Sequence, residues 1–228
     1  MLIAEDLLLL LTDDVSGRLA APGAQVDLAL AGANLVELAL MNRVDVSREG
    51  DEGRRGRVVV RDQSPTGDDV LDSALEIAAA HRGRKPSAVL GPLSRNLRAA
   101  LYERLAERGV LRVEERRLLG LFATRRWPAQ DTAHEAQVRQ LIVEALAGRA
   151  APDARSAAVI ALVHALRCES KVVDARACGL SPRQLRQRAG EIARGDWASE
   201  AVRKAIDEMI AAIVAATTAA SAASTAAG

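Results

Sequence analysis

The sequence predicts a mainly α-helical chain folded as a single compact domain that carries two short β-hairpins. Three observations lead there. Hydrophobic residues make up 49% of the 228 positions while aromatics make up 2%, so the core must be Leu, Ala and Val, which suits packed helices better than an aromatic-rich β-sandwich. Apolar residues recur at helical spacing along most of the chain. Strand-like alternation is confined to two places, 43–62 and 109–127. A chain of this length can bury a substantial core, and no internal repeat or composition break divides residues 1–214. The last stretch, 215–228 (AATTAASAASTAAG), is low-complexity and reads as a disordered tail.

Taken in order, residues 2–12 form a short apolar element, helix or strand, closed by the turn residues Asp13, Asp14 and Gly17. Val26–Asn42 predicts a strong helix with Leu30, Ala31, Leu35, Leu38 and Ala39 inward. Gly32 within it costs helix stability and marks close packing. Residues 43–62 read as a hairpin: Val44 and Val46 alternate, Val58–Val60 return, and a charged, glycine-rich loop joins them. Ser64–Asp69 turns into a helix over 68–82. Asp68, Asp69 and Asp72 could suggest a metal site, but acidic residues in a first helical turn offset its free amides. RGRKPSAVLGP (82–92) reads as a Gly/Pro-punctuated connector. Further on, helices are expected at His134–Ala147, Ala154–Arg167, Ser181–Ala193 and Asp196–Val214. The second of these is central to the core, with His164 a core histidine. The third opens on an N-cap serine with proline at N1.

The informative stretch is Pro92–Trp127. Leu93, Leu97, Ala100, Leu101 and Leu105 give a helix one apolar face, Ser94 is placed to cap it, and Gly109 to end it. Arg95 and Arg98 lie three apart, opposite the leucines. The hairpin that follows is expected to turn near Glu114–Arg117. It carries Leu118, Leu119, Leu121 and Phe122 beside Arg116, Arg117, Arg125 and Arg126. The chain totals +1, yet Arg82–Arg126 holds twelve Lys and Arg against four Glu, a balance of +8 that leaves −7 for the remainder. A basic zone on a near-neutral chain is a partner signal. Paired guanidinium groups beside an apolar hairpin suit a surface that holds a phosphate and touches lipid. The competing reading is a solvated, salt-bridged helix face with partners such as Glu103.

Several function classes find no support. Cys168 and Cys178, the only cysteines, lie in no metal-ligand spacing and read as buried thiols of a reducing cytoplasm. No phosphate-cradling glycine loop, nucleophile elbow or metalloprotease helix occurs, and no carboxylate pair is singled out as acid and base, so the chain reads as non-enzymatic, without cofactor or metal. Glu5 and Asp6 sit where a signal peptide needs positive charge. No stretch reads as apolar enough to span a bilayer, so any membrane contact is peripheral.

The order of these motifs resembles the Golgi phosphoprotein 3 family, including its small bacterial members. AEDLLLLLTDDVSGRL, LAGANLVELALMNRV, QSPTGDDVLDSAL and SRNLRAALYERLAERGVL match the family's pieces in order from about Ile3 to Val214. The resemblance implies a four-helix core ringed by amphipathic helices. It also implies peripheral membrane proteins that bind phosphatidylinositol 4-phosphate from the cytoplasmic face. The family's paired headgroup arginines correspond to Arg95 and Arg98. Its membrane-inserting and self-associating hairpin corresponds to Leu118, Leu119, Leu121 and Phe122, which makes a homo-oligomer through the hairpin a further expectation. A tryptophan and a third arginine of the family pocket fall on Pro22 and Ala31 here, so Arg125, Arg126 or an arginine of the 51–56 loop would have to substitute. Two alternatives remain open. One is a winged-helix nucleic-acid binder, which an apolar rather than basic hairpin tip argues against. The other is a self-associating scaffold that uses the hairpin as its contact.

Overall fold

The computed structural model describes residues 1–47, 54–118, 122–195 and 200–226. The leucine run behind Glu5 and Asp6 folds as α1 (Ile3–Leu11), every residue of which is buried. It therefore reads as neither amphipathic helix nor alternating strand, because all its faces meet protein. The Glu5 carboxylate accepts from the Leu2 amide at 2.7 Å and so satisfies a free donor at the helix start.

α2 (Gly23–Leu40) carries the expected inward set, with Leu30, Ala31, Leu35 and Leu38 fully buried. By length and mean hydropathy it could cross a membrane, which corrects the expectation that no stretch could. Its leucines, valines and alanines raise the average. It contains Asp27 and Glu37, however, and it packs against α1 and five other helices, so it is a core helix.

Asn42 takes a left-handed φ of +56° and turns the chain into β1 (Val44–Val46), which pairs antiparallel with β2 (Val58–Val60) in the register Val44↔Val60. α3 (Asp69–Ala80) starts on Asp68, whose carboxylate accepts from the Val70 and Leu71 amides at 3.0 and 3.3 Å. Asp72 accepts from the Thr66 amide and hydroxyl, both at 2.6 Å. These two carboxylates are therefore engaged as caps.

The segment expected as a connector is instead a helix, α4 (Pro86–Ser94). Pro86 stands in its first turn, where no amide donor is needed, and Pro92 falls in its last turn. Ser94 ends this helix and donates its hydroxyl to the Gly91 carbonyl at 3.0 Å; it does not cap the next one. The break lies at Arg95–Asn96, with Asn96 left-handed at φ +57°. α5 (Leu97–Glu107) follows, and Gly109 at φ +72° turns the chain out of it as expected.

The second hairpin is β3 (Glu114–Leu118) and β4 (Phe122–Arg126), paired from Glu114↔Arg126 to Leu118↔Phe122. Glu114–Arg117 is strand rather than turn. The register sets Glu114 opposite Arg126, while the Glu114 carboxylate pairs with Arg112 Nη2 at 2.9 Å. The chain then forms α6 (Ala133–Leu146), α7 (Ala154–Ala165), the short α8 (Glu169–Val172), a 3₁₀ turn (Ala175–Cys178), α9 (Pro182–Ala193) and α10 (Glu200–Ala226). Ser181 and Gln184 form the capping box of α9. α10 continues helically through the alanine-rich stretch expected as a tail, with Thr217 buried. Alanine's high helix propensity permits this continuation.

The centre is a four-helix arrangement. α2 and α7 touch each other, and α1 and α10 each pack against both; α3, α4, α5, α6 and α9 surround them. The closest approach is at Gly32, where a Cβ would overlap the Ile213 side chain of α10. Gly32→Ala should gain helix propensity yet lose about 1–3 kcal/mol to overpacking. Adding Ile213→Ala should return part of that loss. Urea unfolding of the two singles and the double variant checks it, and strictly additive losses would refute the contact.

Candidate functional site

The site expected on the sequence centres on Arg95 and Arg98, and the break at Asn96 separates them. Arg98 stands in the first turn of α5, while Arg95 is the residue after α4, outside either helix. They therefore do not share a helix face. Arg98 reaches the N-terminal end of α2, where its Nε donates to Asp27 Oδ1 at 3.1 Å. A Cβ on Gly23 would lie 2.8 Å from its Nη1, so only glycine admits the guanidinium this close to the backbone. Burial pushes the Asp27 carboxyl above its ordinary value, and the charge of Arg98 opposes the rise. Arg95 is exposed and lines a separate groove of about 260 Å³ with Asn34, Asp69, Ser73, Leu93 and Ala100.

One turn beyond Arg98, α5 carries the anchor of the second hairpin. The Tyr102 ring stacks on Trp127, which directly follows β4, with centroids 5.2 Å apart and planes 3° from parallel. The Tyr102 hydroxyl shares a 2.9 Å hydrogen bond with Thr12 Oγ1 in the buried interior. Burial pushes its pKa up, so it remains a neutral hydrogen-bonding group. Next to it, Glu103 accepts from Arg125 Nη1 at 3.4 Å. Glu103 thus partners the hairpin and not the arginines near the start of α5. Backbone bonds complete the attachment: Arg112 N to Pro128 O at 3.0 Å and Gln130 N to Val110 O at 2.9 Å close the base of the hairpin. The stem is consequently held by α5, beside Arg98, through an aromatic stack, an ion pair and a backbone clamp.

The remaining residues distribute as follows. Leu118 and Phe122 are the last paired positions of the strands, and Leu119 and Leu121 lie outside the described residues. Arg126 is opposite Glu114 in register, and its Cβ approaches the Gly17 turn. Pro22 is the residue before α2, next to Gly23 and hence beside Arg98, whereas Ala31 is fully buried. Cys168 and Cys178 are unpaired buried thiols, and burial pushes both above the ordinary thiol value, which keeps them inert.

Sequence reasoning missed a polar network inside the helix core. Asp6 accepts from His134 Nε2 at 2.7 Å and from Arg155 Nη2 at 2.9 Å, and Arg155 Nη1 reaches Glu37 at 2.8 Å. Glu5 accepts from Arg104 Nε at 3.0 Å and Arg108 Nη1 at 3.1 Å. Arg104 continues to Asp68 at 2.9 Å. Burial acts to raise the Asp68 carboxyl, but the hydrogen bonds from Arg104 and the Leu71 amide outweigh it and hold the carboxyl below its ordinary value. The network ties α5 to α1 and α3, and so fixes the helix that presents Arg98.

Comparison with known proteins agrees with this architecture. The family model described as Golgi phosphoprotein 3 (GPP34) matches residues 3–209. The vacuolar protein sorting-associated protein 74 of Eremothecium gossypii is 28% identical over 170 residues, which cover 64% of this chain and 49% of that protein. The chain thus spans about half the length of the curated relative it matches. The match runs from the first residue of α1 into α10 and takes in both hairpins and every element around Arg98, and on that extent the chain belongs to the Golgi phosphoprotein 3 family.

Proposed function

We propose that the protein is a non-enzymatic peripheral membrane protein that binds an anionic, phosphate-bearing lipid headgroup, a phosphoinositide by family. One observation carries the reading: Arg98 stands on α5 one turn before Tyr102 and Glu103, the two residues that fix the stem of the apolar hairpin. A cation and an apolar probe on one rigid helix can meet a headgroup and the acyl boundary together. Arg98 offers a planar fork suited to phosphate, and Asp27 holds it in position until an anion competes for it. Arg95 and the stem arginines Arg125 and Arg126 add about 1 kcal/mol each close to an anionic surface. Leu118, Leu119, Leu121 and Phe122 add about 1.5–3 kcal/mol each where fully buried in the membrane. Such a sum gives reversible attachment to the cytoplasmic face.

Liposome flotation tests the proposal, with neutral, generally anionic and phosphatidylinositol 4-phosphate vesicles. Wild type should float with the phosphoinositide. Arg98→Ala should reduce the bound fraction about tenfold or more, Arg95→Ala less, and Leu121→Ser/Phe122→Ser should abolish flotation. Equal flotation on all anionic vesicles would leave a basic, hairpin-anchored surface without headgroup selectivity. No flotation of wild type on any vesicle would remove the membrane reading.

A further inference from the structure

A second basic cluster lies away from Arg98, where the loop after α3 crosses the first hairpin. The backbone assembles it. Val58 N donates to Arg84 O and Gly83 N donates to Val58 O, both at 2.8 Å, so the α3–α4 link pairs with the start of β2 almost as a third strand. Gly83 takes a left-handed φ of +74° to make this turn. On the other side, Ser47 N donates to Arg57 O at 2.8 Å, and Ser47 Oγ bridges the Arg57 amide at 3.0 Å and the Arg54 carbonyl at 2.7 Å. Arg54, Arg57, Arg82, Arg84 and Lys85 are thereby held on one ordered platform.

The side chains of this platform form two adjoining cavities that share Arg57. One, of about 380 Å³, is lined by Arg54, Arg57 and Arg82 with Ser47 and Gly83. The other, of about 370 Å³, is lined by Arg57, Arg84, Lys85 and Ser87. No carboxylate lines either cavity among the described residues. None of the five cations forms an ion pair with a described carboxylate, in contrast to Arg98, Arg104, Arg108 and Arg155. Arg57 Nε is buried without a hydrogen-bond partner. A buried guanidinium N–H costs stability when unpaired, and like charges gathered on a rigid frame repel one another, so the arrangement calls for an anion.

We propose that this platform binds an anion carrying two phosphate groups, one in each cavity, with the Arg57 guanidinium between them. Two cavities flanking one shared cation suit two linked phosphates better than one, and five cations with no carboxylate among the described lining residues match a diphosphate's charge more closely than a monophosphate's. Lys85 and Arg95 bracket the nine residues of α4, which separates this platform from Arg95 by about 15 Å of helix rise. The inference therefore stands apart from the lipid reading of Arg98. The two phosphates can belong to a soluble diphosphate or to a bisphosphorylated lipid headgroup, which share this chemistry.

The test is calorimetric titration of the full chain with inorganic pyrophosphate and with inorganic phosphate, alongside flotation on vesicles carrying a bisphosphorylated phosphoinositide. Wild type should bind pyrophosphate saturably and at least about tenfold more tightly than phosphate. Arg84→Gln/Lys85→Gln, which alters only exposed side chains, should weaken that binding about tenfold or more at an unchanged melting temperature, as should Arg57→Ala, while Arg98→Ala should leave it intact. A headgroup source would appear as weak pyrophosphate binding with vesicle binding that still depends on Arg84 and Lys85. The proposal is overturned if phosphate binds as tightly as pyrophosphate or if Arg98→Ala, and not the platform variants, removes binding. Absence of saturable binding in both arms also overturns it.

Discussion

Replacing Asp6 by alanine should destabilise the protein by about 3–5 kcal/mol, the range for removing one partner of a buried ion pair. Asp6 is 2% exposed inside α1, and its two oxygens are both engaged, one with His134 and one with Arg155. Its loss would leave the Arg155 guanidinium facing only Glu37 and the Met1 carbonyl. The His134 ring would lose its acceptor as well. Glu5→Ala should cost as much by the same route, since Arg104, Arg108 and the Leu2 amide all converge on that one fully buried carboxylate. For a chain of this size, a loss of that order lowers the melting temperature by roughly 6–20 °C. Chemical denaturation of Asp6→Ala, Arg155→Ala and the double variant supplies the check. The double variant should lose well under the sum of the singles, because the second change removes a charge that the first has already orphaned. A loss below about 1 kcal/mol for each single variant would place the pair with ordinary surface ion pairs and refute the network.

That network explains why part of the molecule was hidden in its sequence. The inward set of α2, the N-cap serine and first-turn proline of α9 and the pairing of β1 with β2 are local patterns, and each appears where the spacing predicted. Glu5 and Asp6 carry no such pattern. Nothing local signals their role, because the partners of Asp6, His134 and Arg155, lie 128 and 149 residues away, and Glu5 reaches Arg108 across 103 residues. α4 was missed for a different reason. Proline and glycine read as interruptions, yet Pro86 occupies a first-turn position that suits it and Pro92 falls in the last turn. The true interruption is Asn96, and its signal was present: asparagine is the non-glycine residue that most readily takes the left-handed conformation. The consequence reaches the site. A continuous helix from Pro92 would set Arg95 and Arg98 on one face, whereas the break sends Arg98 to Asp27 and Arg95 to the groove beside Asp69. The stack of Tyr102 on Trp127 was likewise unreadable, being a tertiary contact across the hairpin base.

Glu135 should make stability fall as pH rises from about 4.5 to about 7, and Glu135→Gln should remove that dependence. Glu135 is 4% exposed in the first turn of α6. Burial pushes its pKa up to about 7 from an ordinary 4.5; the charge of Asp14 adds to the rise, while the adjoining Arg139 opposes it. A folded-state value above the unfolded one means that folding favours the protonated carboxyl. The stabilisation is therefore complete below about 4.5 and is lost as pH climbs through about 7. Glutamine keeps the neutral shape and can donate its amide N–H toward Asp14. At pH 8 the variant should be more stable than wild type by about 1–3 kcal/mol, and at pH 4 the two should coincide. Comparing variant with wild type at each pH cancels the opposite trend of carboxyls held below their ordinary range, such as Asp68. The location gives the effect a functional reach. The Asp14 backbone carbonyl accepts from the Ala129 amide at 3.1 Å, and the neighbouring Gly17 turn packs on the backbone of Trp127. Ionising Glu135 thus sets two carboxylates against each other where the hairpin stem joins the helices. Hydrogen exchange at the Trp127 and Ala129 amides should quicken between pH 5 and pH 8, beyond the intrinsic rise, in wild type and not in Glu135→Gln. A wild-type profile parallel to that of the variant would show that Glu135 stays ionised throughout and would refute the coupling.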